Sequence, residues 1–136
     1  MVKIEAVYEG LLRCRVIHGP SGNEFLTDAP KDNEGKGEYF SPSDLVAASI
    51  GSCMLTVMGI LASRKGIRMS GSKVEVTKEM APHPSRRIAR LAVVFAMADG
   101  IKPEHRKLLE EAARTCPVRQ SLSPDIEMPI SFRYDD

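Results

Sequence analysis

The sequence contains no tryptophan, and aromatic residues make up only 5% of its 136 residues. Few rings are therefore available to stack on nucleic-acid bases or to form an aromatic cage around a ligand. The formal net charge is only +1, so no basic surface predicts binding to nucleic acid. The first ten residues, MVKIEAVYEG, lack the apolar segment of a signal peptide, and we expect a cytoplasmic protein.

Cysteine is also scarce, with three residues in the chain. A small and odd number does not indicate a secreted disulfide scaffold, and thiols stay reduced in the cytoplasm. The sequence has no C-x-x-C motif and no cysteine and histidine spacing typical of zinc. We therefore expect no metal and no cofactor, and neither a nucleic-acid nor a membrane partner.

Hydrophobic periodicity predicts an α+β fold in a single domain over residues 1–136. Segments of alternating hydrophobicity predict three strands at the start of the chain, with a turn at 8–10 between the first two. A long helix follows, and after it come a hairpin, a second helix and a last strand. The order βββ-α-ββ-α-β and its consecutive strands favour an antiparallel sheet. The predicted elements are strands at 3–8, 11–18 and 23–28, a helix at 42–65, strands at 72–80 and 86–98, a helix at 102–114, one possible helical turn at 117–122, and a strand at 127–134.

The long helix lies within SPSDLVAASIGSCMLTVMGILASRKG, residues 41–66. Ser41 is a good N-cap, Pro42 fits the first helical position, and Asp44 stands where a capping box places an acid. Gly66 predicts the end of the helix. The helix is long enough to cross a membrane, but its Asp44 and scattered hydroxyl residues favour burial inside protein. One small sheet covers only one side of such a helix, so we expect a homodimer.

Two of the cysteines occupy unusual places. Cys53 lies in the middle of the long helix, where a buried inert thiol is the ordinary interpretation. Cys116 precedes Pro117, which either ends the preceding helix or begins a new one with Cys116 as its N-cap. In the second case the helix N-terminus favours a thiolate. Cys14, on the apolar side of a strand, is expected in the core.

The segments SPSDLVAASIGSC (41–53) and TCPVRQSL (115–122) together resemble the two cysteine motifs of the OsmC-like family, the osmotically inducible and organic hydroperoxide resistance proteins. This resemblance implies an intertwined homodimer with a long central helix, acting as a thiol peroxidase on organic hydroperoxides. Cys53 would attack the peroxide and become a sulfenic acid, and Cys116 would form a disulfide with it. A dithiol donor, such as a protein-bound lipoyl group, would reduce that disulfide.

The family also supplies an arginine near the first cysteine and a glutamate from the helix start that orients it, because a buried thiol needs a cation to react as a thiolate. At the glutamate position this chain has Ser43. Asp44 is adjacent, and either replaces the glutamate or serves only as a cap. Arg13, Arg15 and Arg119 are candidates for the arginine, with Arg13 preferred, although each is also explained as a solvated surface charge.

Three hypotheses follow. The first is a dithiol peroxidase in which Cys53 and Cys116 lie close together. The second, favoured by Ser43, is an OsmC-like thiol sensor, or a binder of a small apolar or electrophilic ligand, without fast turnover. The third is a structural dimer with buried, inert thiols.

Overall fold

A computed structural model describes residues 1–135 of the chain. The chain divides into two compact units, Met1–Val46 and the residues from Ala47 onward. The order of elements is βββ-α-ββ-α-α-β, apart from a short 3-10 turn before the first helix. The predicted α+β order is thus confirmed, and the possible helical turn near residue 120 is present as a helix of its own.

The first unit is built on a three-stranded antiparallel sheet. Strand β1 spans Ile4–Gly10, β2 spans Arg13–His18, and β3 spans Glu24–Asp28. Strand β2 lies in the middle and pairs with both neighbours in antiparallel register. A polar loop containing the 3-10 turn Lys31–Asn33 leads from β3 to the first helix. This is the predicted meander.

The first reversal of the chain does not lie at residues 8–10, where the sequence predicted it. Strand β1 continues to Gly10 with a register shift after Tyr8, and the turn is made by Leu11 and Leu12, whose φ angles are 55° and 63°. Two consecutive left-handed residues between paired strands are typical of a type I′ turn, which asparagine and glycine favour. Because leucine is strained at positive φ, its sequence gives no signal for this turn, and the predicted position was wrong.

Helix α1 spans Pro42–Lys65, the bounds that the capping signals predicted. The Asp44 N–H donates to Ser41 Oγ (3.1 Å), and the Ser41 N–H donates to Asp44 Oδ2 (2.9 Å), which is a reciprocal capping box. At the other end Gly66 has φ 67°. The Ile67 N–H donates to the carbonyl of Ala62 (2.8 Å), as in a Schellman cap.

The second unit contains the rest of α1 and a three-stranded sheet in the order β4-β5-β6. Strand β4 is Lys73–Ala81 and β5 is Arg87–Ala96. Helices α2 (Pro103–Arg114) and α3 (Pro117–Ser121) follow, and β6 is Ile130–Arg133. Strands β4 and β5 form the predicted antiparallel hairpin, but β6 pairs with β5 in parallel. The two helices carry the chain back to the starting end of β5, as a parallel crossover requires, so the sheet is mixed.

The hydrophobic core of this unit lies between one face of α1, the inner face of the sheet, and α2. Its buried apolar side chains come from every one of these elements, and Phe95 stacks on Phe132 of β6 with ring centroids 4.7 Å apart. Burying a large apolar side chain stabilises a fold by about 1.5–3 kcal/mol, so this contact surface holds the unit together. The largest of the fully buried apolar side chains are Ile50, Met54, Met58, Leu91, Val93, Phe95 and Leu109.

Helix α1 lies unusually close to the sheet at Gly51. A Cβ atom at this position would be 3.0 Å from the side chains of Val74 and of Val76 on β4, closer than carbon atoms pack at their optimum. The glycine therefore allows the helix to rest on β4. It lies two residues before Cys53, so the close approach also positions that cysteine.

The opposite face of α1 is exposed. Ser52 and Thr56 lie on this face, and their hydroxyls donate to the carbonyls of Ala48 and Ser52, each at 2.8 Å. Ile60, on the same face, is 49% exposed. Within the described residues, α1 is the one helix that is long and apolar enough to cross a membrane. The core helix of a soluble protein can have the same length and composition. In the most apolar 18-residue stretch of α1, 33% is buried inside the structure.

Candidate functional site

Cys53 lies on the flank of α1. Its neighbour Met54 belongs to the buried face of the helix, and Ser52 belongs to the exposed face, so the Cys53 side chain is half-buried. The helix is capped at both ends, and Gly51 sets its approach to β4. Cys53 is therefore held on a rigid element and still keeps part of its surface accessible.

Cys116 lies at the corner between α2 and α3 and is fully buried. It is the N-cap of α3, as one of the two interpretations of the Cys-Pro sequence predicted, and Pro117 is the first helical residue. The Arg119 N–H donates to Cys116 Sγ at 3.3 Å. The corner thus directs the cysteine side chain back over the first turn of α3, where a backbone N–H meets the sulfur.

The structure brings Cys53 and Cys116 together. The Cys53 side chain lies close enough to Cys116 to raise the pKa of its thiol, and both thiols are free rather than joined in a disulfide. Cys14, by contrast, lies in the first unit on β2, paired with Tyr8 on one side and Thr27 on the other, and it is half-buried rather than in the core. A pair of adjacent reduced thiols is the arrangement that a two-electron oxidation converts into a disulfide.

The electrostatics of Cys116 differ from the sequence-based expectation. Burial raises the pKa of the Cys116 thiol, the N–H of Arg119 lowers it by a smaller amount, and the neighbouring Cys53 raises it further. Removing a thiolate from water outweighs the favourable helix N-terminus. The helix N-terminus thus lowers the pKa of Cys116, as expected, but burial raises it by more, and the net effect favours the protonated thiol.

Arg13 has a carboxylate partner that the sequence analysis missed. Its Nε and Nη2 donate to the two carboxylate oxygens of Asp28 at 2.8 and 2.9 Å, and its guanidinium lies 4.7 Å from the centre of the Tyr39 ring. Asp28 is only 2% exposed and also accepts from the Glu38 N–H (3.1 Å). Hydrogen bonding from Arg13 lowers the pKa of Asp28. Arg13 and Asp28 are direct neighbours in the register of β2 and β3. A correct prediction of that register would have revealed their ion pair.

The other charged candidates have different surroundings. Arg15 makes exposed ion pairs with Glu9 (3.6 Å) and Glu24 (3.3 Å), which contribute little to stability. Arg119 donates from Nη1 to the Arg114 carbonyl at 3.1 Å. Asp44 caps the N-terminus of α1, as described above, so its side chain already has a structural role. The catalytic roles of Arg13 and Asp44 stay predictions. Within residues 1–135, no group of three or more histidine, cysteine or acidic residues is arranged to hold a metal ion.

The raised pKa of Cys116 makes stability depend on pH. Because the folded protein binds this proton more tightly than the unfolded chain, the free energy of unfolding falls as the pH rises above 9.0, the ordinary value for cysteine. We expect C116S to lack this part of the decline when urea unfolding is measured under reducing conditions from neutral pH to about pH 10. C14S is the matched control and should keep the decline. Equal slopes for C116S and the wild type would contradict the burial of an ionisable thiol.

Comparison with known proteins agrees with this architecture. A family model described as OsmC-like protein matches residues 35–131. No curated protein is a significant match to the sequence. A solved Psychrobacter arcticus structure, assigned to the osmotic stress and detoxification response, is 42% identical with a TM-score of 0.92, covering 98% of this chain and 96% of its own.

Two further solved structures share the fold at low sequence identity. The organic hydroperoxide resistance protein of Elizabethkingia anophelis is 18% identical with a TM-score of 0.79, covering 99% of this chain and 96% of its own. The organic hydroperoxide resistance protein OsmC of Legionella pneumophila is 17% identical with a TM-score of 0.75, covering 97% and 96%. With the family model matching most of its length, the chain belongs to the OsmC-like protein family.

Proposed function

We propose that this protein is a thiol-dependent peroxidase that reduces organic hydroperoxides. The observation that carries the proposal is the proximity of two reduced thiols, one half-buried on α1 and one fully buried at the α2–α3 corner. Membership of the OsmC-like family supports a role in redox or peroxide-stress chemistry. The organic hydroperoxide resistance proteins that share the fold suggest the class of substrate.

The proposed reaction has two protein steps. The Cys53 thiolate attacks the terminal oxygen of ROOH, an S–O bond forms, the O–O bond breaks, and the alkoxide takes a proton to leave as ROH. The sulfur of Cys116 then attacks the Cys53 sulfenic acid. A disulfide forms, and the hydroxyl leaves as water with the proton that Cys116 releases. An external dithiol supplies the two electrons that restore both thiols.

Burial supports this division of roles. Cys53 is half-buried on the flank of a helix, so a peroxide can reach its sulfur, whereas Cys116 is closed off from solvent and its raised pKa keeps it protonated. Since the thiolate is the nucleophile, the accessible thiol is the better candidate for the first step. The buried neighbour is the better candidate for intercepting the sulfenic acid.

We assign to Arg13 the role of the cation that favours the reactive thiolate, and to Asp28 the role of orienting it. The family resemblance places an orienting glutamate at position 43, where this chain has serine. The two-point contact between Arg13 and Asp28 supplies a carboxylate that fixes the direction of the guanidinium. Asp44, which caps α1, is then not required for that role.

The same contact favours a second candidate function. A carboxylate that accepts two hydrogen bonds from Arg13 also cancels much of its positive charge, which would leave less for a thiolate. An OsmC-like thiol sensor or ligand-binding protein, with a reactive Cys53 but slow turnover, is consistent with this arrangement. The rate of peroxide consumption separates the two candidates.

The protein is further proposed to be a cytoplasmic homodimer reduced by a dithiol donor. The exposed face of α1 supports the dimer, because its hydroxyls are bonded to the helix backbone and its apolar groups are left available for a second copy. An interface of this kind would cover the part of α1 that its own chain leaves exposed.

The first test is to mix the reduced protein with one equivalent of cumene hydroperoxide without oxygen, and to follow intact mass and peptide maps. We expect a rapid loss of two hydrogen atoms that maps to a Cys53–Cys116 disulfide. C53S should consume no peroxide, because it lacks the attacking thiol, and C116S should consume it and stop at oxidised Cys53. C14S is the control and should behave as the wild type. Free thiols persisting in the wild type would exclude the peroxidase and leave the sensor or ligand binder.

A second prediction concerns the arginine. R13K keeps the charge but loses the two-point contact with Asp28, and we expect it to slow oxidation of Cys53 by about tenfold or more, as loss of a charge-assisted hydrogen bond of roughly 1.5–3 kcal/mol would. R15K on the same strand is the matched control, because Arg15 makes only exposed ion pairs, and its rate should be unchanged. Stopped-flow mixing with cumene hydroperoxide measures both rates. An R13K rate equal to that of R15K would remove Arg13 from the mechanism.

A third prediction concerns the dimer. I60E places a charge on the exposed face of α1, and we expect it to weaken self-association measured by sedimentation, because a charge buried at an interface is strongly unfavourable. L108E is the matched control, since Leu108 is a similarly exposed residue (38%) on α2. A monomeric wild type, or an I60E variant that dimerises as the wild type does, would contradict the proposed interface.

A further inference from the structure

The corner that carries Cys116 is closed by two side chains from α3. Arg119 Nη1 donates to the carbonyl of Arg114 at 3.1 Å, and Gln120 Nε2 donates to the carbonyl of Thr115 at 2.7 Å. Both bonds pass from the residues after Cys116 to the residues before it. The cysteine is therefore enclosed within two overlapping loops, each closed between residues five positions apart in the chain.

These two carbonyls stand at the C-terminal end of α2, where helix geometry leaves them without partners of their own. Helix α3 has only five residues, which is too short to be stable as an isolated helix. The Arg119 and Gln120 side chains donate hydrogen bonds to these two carbonyls. The same bonds hold α3 against the C-terminal end of α2. The direction of the Cys116 side chain depends on the same corner, since its sulfur accepts from the Arg119 N–H at 3.3 Å.

Disulfide formation is sensitive to such positioning. The two sulfur atoms must approach to about 2.05 Å with Cβ atoms about 3.8 Å apart, and a cysteine turned away by a frayed helix does not meet this requirement. In a peroxidase the resolving thiol also competes with a second peroxide, which converts the sulfenic acid to sulfinic acid. The position in which the corner holds Cys116 thus affects whether the Cys53 sulfenic acid becomes a disulfide or a sulfinic acid.

We propose that Arg119 and Gln120 are positioning residues for the resolving thiol. By closing the α2–α3 corner they set the effective concentration of Cys116 at Cys53, and with it the division of the Cys53 sulfenic acid between disulfide and sulfinic acid. This inference rests on the proposed function for the choice of products. The positioning of Cys116 is tested without peroxide.

The test compares the reduced wild type with R119M, Q120M and the double variant in glutathione redox buffers. There one oxidised glutathione accepts two electrons from the protein dithiol, which becomes a disulfide as two reduced glutathiones form. We expect the equilibrium constant for the Cys53–Cys116 disulfide to fall about tenfold in the double variant, as the loss of two hydrogen bonds of roughly 0.7 kcal/mol each would give. In each single variant this equilibrium constant should fall by about threefold. R119K keeps a donor and should recover most of the loss.

S121A is the matched control. The Ser121 hydroxyl donates to the Pro117 carbonyl inside α3 at 2.8 Å, so its removal disturbs the short helix without opening the corner, and its equilibrium constant should match that of the wild type. Thermal unfolding of every variant checks that the fold is kept.

Under excess cumene hydroperoxide, the double variant should lose its first thiol at the wild-type rate and accumulate several times more sulfinic acid. This readout separates positioning of Cys116 from a role in the peroxide step. A slower loss of the first thiol in R119M would instead place Arg119 in the peroxide step and overturn its assignment as a positioning residue.

The outcomes also separate this inference from the proposed function. A wild type that forms the disulfide in glutathione but does not react with peroxide would refute the peroxidase and leave the positioning role supported by the equilibrium constants. A double variant with the wild-type equilibrium constant would overturn the positioning role, whatever the peroxide result. A wild type that forms no disulfide with either reagent would overturn both.

Discussion

The burial of the Cys116 thiol beside Cys53 is the constraint on which the rest of the candidate site depends. Two chemically identical groups become different because one is removed from water, so its pKa rises, and the other stays partly accessible. The asymmetry comes first from the burial of Cys116 at the corner between α2 and α3, and the neighbouring Cys53 adds to it. The packing of the second unit is therefore also what makes the two thiols differ in their pKa and accessibility.

Much of this could be predicted from the sequence because its signals are local. The bounds of α1 followed from Ser41, Asp44 and Gly66, each of which acts within one turn of the helix end. The placement of Cys116 at the start of α3 was one of two interpretations that the proline after it left open. The pairing of Cys53 with Cys116 came instead from the family resemblance, since no local rule connects residues 63 positions apart.

The features that the sequence did not reveal are nonlocal or run against residue preference. The parallel pairing of β6 depends on where α2 and α3 return the chain, and the contact between Arg13 and Asp28 depends on the register of β2 and β3. The turn at Leu11 and Leu12 opposes the usual preference for glycine or asparagine. The raised pKa of Cys116 reflects a balance between burial and a helix N-terminus, and the sequence supplies only the second of these quantities.

The position of Cys53 depends on the absence of a side chain at Gly51, two residues earlier on α1. A single methyl at this position would lie 3.0 Å from the side chains of Val74 and Val76, so either these valines or α1, which carries Cys53, would have to shift. A shift of a few tenths of an ångström is small for a core, yet it would matter to the proposed disulfide, because an S–S bond is fixed at about 2.05 Å. The space available on the buried face of α1 therefore differs from one position to the next, since Gly51 meets the β4 valines while the neighbouring Ile50 and Met54 are large and fully buried.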